Sequence, residues 1–194
     1  MIRNKVDGMS TVKPDVHYTV ADYKTWPDEE RWELINGIAY SMSPAPRSTH
    51  QRISRKLFSQ IDGFLVGKPC ELFYSPIDVY LSDPDAADDQ ADTVVQPDIL
   101  VVCDPSKVVD EGIRGAPDFI VEILSDSTAY KDLNEKKTLY ETHGVREYWI
   151  VKPSDGSVLA WHFDGTRFAP VKEYRGEEPV DSVALPGFIW SPRT

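Results

Sequence analysis

The sequence predicts an α+β fold: a mixed β-sheet flanked by helices, with an extra C-terminal β-hairpin. Three observations point to it. Two short apolar runs rich in β-branched residues, Ile99-Leu100-Val101-Val102 and Phe119-Ile120-Val121-Glu122-Ile123-Leu124, have the composition of neighbouring buried strands. Residues 48–65 and 127–144 carry apolar side chains at helical spacing. The second of these segments is followed by the apolar run Glu147-Tyr148-Trp149-Ile150-Val151, and a strand, helix and strand in succession imply a parallel crossover.

Each element has its own signal. Residues 1–17 are polar and aperiodic and are expected to form a flexible arm, with residues 18–194 as one domain. Thr19 caps a short helix through Tyr23, and residues 31–40 fold back at Asn36-Gly37, the pair favoured in type I′ hairpins. After the Pro44-Ala45-Pro46 break, Ser48 or Thr49 is placed to cap a helix that presents Ile53, Leu57, Ile61 and Phe64 on one face. Strands are expected at 71–75 and 77–81, then an acidic loop, then the two buried runs joined by a polar link over 104–116. The helix beginning near Ser127 ends at Gly144. Asp164-Gly165-Thr166 marks the late hairpin, and the tail closes in Leu185-Pro186-Gly187-Phe188-Ile189-Trp190.

Composition excludes several classes. The 194 residues are 41% hydrophobic and 27% charged, as in a globular protein, and no apolar run approaches the roughly 20 residues a membrane span needs. No export signal is visible, and Cys70 and Cys103 show neither metal-ligand spacing nor a disulfide framework, so a cytoplasmic protein with reduced thiols is expected. A net charge of -11 argues against indiscriminate binding of nucleic acid. The charge is uneven, however: residues 41–60 hold Arg47, Arg52, Arg55 and Lys56 with no acid, whereas residues 81–98 hold Asp83, Asp85, Asp88, Asp89, Asp92 and Asp98 with no base. The first block is either a DNA-attracting face or ordinary solvated surface.

Asp98 and Glu122 carry the chemistry. An ionised carboxylate among Ile, Val and Leu needs a cation, a proton or several hydrogen-bond donors, and one divalent metal serves two such groups at once. In the following helix Ala129, Leu133, Leu139 and Tyr140 form the apolar arc, and Lys136 falls inside it. Lys131, Asn134, Thr138 and Glu141 fall on the solvated face. A lysine aimed at two metal-binding carboxylates is the working group of a phosphodiester-cleaving site, where it orients or deprotonates the attacking water. Asp118 repeats the Pro-Asp dipeptide and is the rival to Asp98, as Lys137 is to Lys136. Glu33 is a secondary candidate, either as an auxiliary metal ligand or as the partner of a base. His50 is another, either a hydrogen-bonded core histidine or a contact to phosphate or water.

The order of an acid after proline, an acid on the next strand and a following helix resembles the PD-(D/E)XK nuclease superfamily. That pattern places its lysine two residues after the second acid, where this chain has Leu124. The chain is more closely similar to the Uma-type family of restriction endonucleases, in which the lysine has moved to the next helix. Trp32-Glu33-Leu34-Ile35-Asn36-Gly37, Met42-Ser43-Pro44-Ala45-Pro46, His50-Gln51-Arg52-Ile53, Pro97-Asp98-Ile99 and Val121-Glu122-Ile123-Leu124-Ser125 carry that resemblance. Glu135-Lys136 with Tyr140, and Gly144-Val145-Arg146-Glu147-Tyr148-Trp149, extend it. It implies a restriction-endonuclease-like core, Mg²⁺ with Mn²⁺ as a substitute, Asp98 and Glu122 as metal ligands, Lys136 as the third catalytic residue, Tyr140 as a secondary one, and DNA as substrate. The competing classes are an inactive nuclease fold that binds nucleic acid or protein, and a metal hydrolase acting on other substrates. Trp161, Phe188 and Trp190 carry more apolar surface than an exposed appendage needs, so a homodimer is expected.

Overall fold

Strand alternation decides how the layers stack. The computed structural model describes residues 16–27, 30–42, 47–82, 86–125, 128–176 and 178–191. Nearly all of the expected arm, Pro44-Ala45-Pro46, and Asp83 and Asp85 lie outside those residues. In chain order the elements are α1 (Val20–Tyr23), β1 (Trp32–Ile35), β2 (Ile38–Ser41), α2 (Ser48–Leu65), β3 (Glu71–Tyr74), β4 (Val79–Tyr80), β5 (Val94–Val95) and β6 (Ile99–Val102). There follow β7 (Val108–Val109), β8 (Gly112–Arg114), β9 (Phe119–Ile123), α3 (Ala129–Lys131), a π-helical turn (Asp132–Lys136) and α4 (Lys137–Thr142). The chain continues through β10 (Glu147–Val151), β11 (Val158–His162), β12 (Lys172–Tyr174), β13 (Val180–Asp181) and β14 (Ile189–Trp190).

The expected mixed sheet has the order β12-β11-β10-β9-β6-β3. β6 and β9 are antiparallel neighbours with Ile99 opposite Val121, so the two acid-bearing runs do pair. β10 runs parallel to β9, with Glu147 opposite Phe119, which closes the crossover. A second six-stranded sheet, β2-β1-β5-β4-β8-β7, accompanies it. Its β7–β8 hairpin comes from the segment expected to be only a polar link, where Gly112 lets the chain pass close to the Asp78 carbonyl. β13 and β14 form the small C-terminal pair.

Side chains of the first sheet alternate between two cores. Val101, Phe119, Val121, Trp149 and Val151 pack with Leu57 and Ile61 of α2 and with Phe188 and Trp190 of the tail. Leu100, Val102, Ile120, Tyr148 and Ile150 pack with Val79, Val95 and Ile113 of the second sheet and with Leu139 and Tyr140 of α4. The parity of Glu122 puts it with this second set, in the layer between the sheet and α4.

Local signals hold at several points. Thr19 forms a full capping box with Asp22. Asn36 and Gly37 take φ of 49° and 75°, the left-handed pair that a type I′ turn requires. Three expectations are corrected. The N-cap of α2 is Arg47, with no side-chain cap from Ser48 or Thr49. Cys70 and Cys103 are joined as a disulfide, because they lie one position beyond the Glu71–Val102 register pair of β3 and β6; their sequence separation of 33 hides this. Trp161, Phe188 and Trp190 are buried within this chain, which removes the apolar surface from which a homodimer was inferred. Among the described residues no helix is long and apolar enough to cross a membrane.

The tail is held by a buried carboxylate. Glu147 Oε2 accepts from Ser182 Oγ at 2.5 Å and from the backbone amides of Val183 and Ala184 at 2.9 and 2.7 Å, while Oε1 accepts from Trp149 Nε1 at 2.7 Å. Glu147→Ala strands these donors in the interior, at a cost of about 1–3 kcal/mol for each one left unpaired. We expect a destabilisation of at least about 3 kcal/mol, read as a lowered urea midpoint, whereas a change below about 1 kcal/mol would contradict a clasp of this kind.

Candidate active site

Asp98 immediately precedes β6, and Glu122 lies within β9. Their register brings them together: the Ile123 amide donates to Asp98 Oδ2 at 2.8 Å, and the Asp98 amide donates to Glu122 Oε2 at 3.4 Å. Asp118 sits at the other end of these strands, where it accepts from the Cys103 amide at 2.7 Å and from Arg146 at 3.1 Å. Antiparallel pairing therefore separates the two Pro-Asp dipeptides.

Lys136 reaches the same place from the π-helical turn. Its amine lies 2.7 Å from Glu122 Oε1 and 2.6 Å from Glu33 Oε1, with Asp132 Oδ1 at 3.9 Å. The Tyr140 hydroxyl donates to Glu122 Oε1 at 3.0 Å, so the secondary candidates Glu33 and Tyr140 belong to this cluster. Lys137 points elsewhere and pairs with Glu141 at 3.2 Å.

Glu33 is delivered by β1, whose hairpin is set by the Asn36-Gly37 turn. Both of its oxygens are engaged: Oε1 by Lys136 and by the Gln96 amide at 3.0 Å, Oε2 by Lys131 at 2.5 Å. Lys131 is the residue that helical spacing missed. In a continuous α-helix residues 131 and 136 point about 140° apart, which puts Lys131 in solvent when Lys136 faces the sheet. The wider π turn over Asp132–Lys136 brings positions five apart toward one face, and both amines meet Glu33. No composition signal in this segment announces such a turn.

Charge crowding defines the electrostatics. Burial alone would raise the pKa of Glu33, but the Lys136 and Lys131 ammoniums outweigh it and hold the carboxyl at about 2. Burial pushes Glu122 up to about 8 against the pull of Lys136, with Asp132, Asp98 and Glu33 adding to the rise. For Lys136 burial favours loss of the proton, yet Glu122, Glu33 and Asp132 together raise its pKa well above the ordinary value.

His50, on the first turn of α2, places Nε2 3.1 Å from Asp98 Oδ2. Burial would lower its pKa, but the hydrogen bond and charge of Asp98 win and raise it. Its Nδ1 is buried and has no hydrogen-bond partner among the described residues. Of the basic block on the same helix, Arg47, Arg52 and Arg55 are exposed and Lys56 is half-buried. The contact of His50 with Asp98 fixes the N-terminal end of that helix beside the acids.

The donor set fits a hard divalent cation. Among the described residues no three His, Cys, Asp or Glu side chains are grouped to cage a metal by themselves. Glu122 Oε1 is engaged by Lys136 and Tyr140, and Asp98 Oδ2 by His50 and the Ile123 amide. Asp98 Oδ1 and Glu122 Oε2 keep acceptor capacity. Two carboxylates completed by water is the composition Mg²⁺ favours.

Comparison with known proteins agrees with this architecture. The chain is 25% identical over 144 residues to the uncharacterized protein slr1290 of Synechocystis sp. (strain ATCC 27184 / PCC 6803 / Kazusa), a match covering 73% of this chain and 72% of that protein. Its fold is similar to the crystal structure of a putative nuclease belonging to DUF820 from Anabaena variabilis ATCC 29413, with a TM-score of 0.72 and 18% identity over 91% of this chain and 96% of that one. That likeness shows a shared fold. The model of the Uma2 family, described as "Putative restriction endonuclease", matches residues 20–193, and the chain belongs to that family.

Proposed function

We propose that this protein is a metal-dependent endonuclease that hydrolyses phosphodiester bonds of DNA. The observation that carries the reading is the convergence of Asp98, Glu122 and Lys136 from two strands and a helix, with the amine of Lys136 at 2.7 Å from Glu122. Membership of a family described as restriction endonucleases supports the reaction class. Asp98 and Glu122 would hold Mg²⁺, with Mn²⁺ as a substitute. Such an ion supplies positive charge to the phosphoryl oxygens and acidifies a water.

The chain's own residues do the remaining work. Lys136, kept protonated by its ion pairs with Glu122 and Glu33, presents a fixed positive charge to the attacking water and the phosphate. Tyr140 holds Glu122 by the oxygen that Lys136 also takes, which leaves the other oxygen for the ion. His50 orients Asp98 in the same way. Both oxygens of Glu33 are taken by ammoniums, and its part is to position the lysines. The exposed arginines of α2, Arg47, Arg52 and Arg55, with Lys56, would meet the DNA backbone beside the acids.

Supercoiled plasmid with Mg²⁺ tests the reaction. Nicking is expected from the wild-type protein, lost in EDTA, and reduced at least about 100-fold in Asp98→Ala, Glu122→Ala and Lys136→Met. Salt-sensitive DNA binding without nicking in any divalent cation would overturn catalysis and leave a nucleic-acid-binding module.

Acid titration tests the anchoring role of Glu33. Its carboxyl moves from an ordinary 4.5 in the unfolded chain to about 2 in the folded one, so the unfolded state takes up the proton first as pH falls. Its stabilisation is full above about pH 4.5 and is lost toward pH 2. Glu33→Gln is expected to be less stable than wild type at neutral pH by about 3 kcal/mol, the usual cost of breaking a buried ion pair. That difference should shrink as pH falls through this window. A difference that stays constant with pH would show that Glu33 is not an ionised anchor.

A further inference from the structure

We infer that Lys131 is a second phosphate-contacting residue of this site, which takes a backbone phosphate of the nucleic acid while Glu33 holds its amine in place. The inference rests on the nuclease reading and adds a substrate contact to it.

The two lysines bonded to Glu33 differ in exposure and in spare hydrogen-bonding capacity. The side chain of Lys136 is 4% exposed and its amine lies among Glu33, Glu122 and Asp132. A group so enclosed acts on what enters the centre of the site. Lys131 keeps 15% of its side chain exposed, so it stands at the rim. An ammonium has three N–H donors, and among the described residues that of Lys131 makes one ion pair, to Glu33 Oε2. The Tyr40 ring lies 5.6 Å away and offers a π face that leaves the remaining donors uncommitted. Lys131 can therefore donate to a phosphate oxygen without giving up Glu33.

Geometry sets where that phosphate sits. Glu33 bridges the two amines, so a phosphate on Lys131 lies one carboxylate away from Lys136 and, through it, from Glu122. The ligand is an anionic phosphodiester: an ammonium at the rim fixed by a buried carboxylate is a point charge with a set direction, which suits phosphate more than any base edge. The π-helical turn gives the arrangement its reason, since a regular helix would send this lysine away from the site.

The test is the salt dependence of DNA binding by the full chain in Mg²⁺, using a fluorescent duplex with phosphorothioate linkages that keep the charge and slow cleavage. Each phosphate neutralised contributes about 0.9 to the slope of log affinity against log salt. Lys131→Gln is expected to bind more weakly and to lose about 0.9 of that slope, with Lys131→Arg retaining it and Lys137→Gln leaving it unchanged. An unchanged slope in Lys131→Gln overturns the inference, as does a wild-type protein that shows no salt-dependent binding. Lysine methylation read by mass spectrometry gives a second measurement on wild-type protein, independent of variant folding: bound duplex is expected to shield Lys131, and equal labelling with and without duplex overturns the contact. Failure of the nuclease reading looks different, with nicking absent while both Lys131 effects persist.

Discussion

One carboxylate organises the centre of this molecule. Glu33, 1% exposed, binds Lys136 through one oxygen and Lys131 through the other, and takes the Gln96 amide as well. Two ammoniums brought this close repel each other and are costly to desolvate, so neither would hold its position without the anion between them. Glu33 in turn depends on the β1–β2 hairpin, whose type I′ turn sets the register of its strand. A local turn and a buried charge cluster are coupled through a single side chain.

Two buried glutamates on adjacent parallel strands show how surroundings decide the role of a carboxylate. Glu147 faces the tail and receives four hydrogen bonds on its two oxygens, which closes it to any ligand and makes it a fastener. Glu122 faces the opposite layer, where one oxygen takes Lys136 and Tyr140 and, among the described residues, the other receives only the long bond from the Asp98 amide. Burial drives the Glu122 carboxyl toward protonation against the pull of Lys136, and the charges of Asp132, Asp98 and Glu33 add to that rise.

The layers serve that centre. The second sheet supplies Glu33, the first supplies Asp98 and Glu122, the broken helix between β9 and β10 supplies both lysines, and α2 brings His50 to Asp98. The π turn carries Lys136 to Glu122. Helix irregularity at that position exchanges backbone regularity for a second positive charge in the site.

Much of this was legible in the chain alone, because the signals are local. Alternation along the runs holding Asp98 and Glu122, the Asn36-Gly37 pair, the amphipathic spacing around Leu57 and Ile61, and the apolar arc containing Lys136 all depend on near neighbours. So did the family resemblance, which rests on short motifs. What the chain could not disclose arises between distant segments. The pairing of Cys70 with Cys103, the folding of residues 104–116 into a second sheet, the placing of Asp118 at the far end of the strands from Asp98, and the burial of Trp161, Phe188 and Trp190 follow from strand register and packing partners. Lys131 is the clearest case. Periodicity assumes a constant turn angle, and only the tertiary contact with Glu33 accompanies the wider turn that brings this lysine inward.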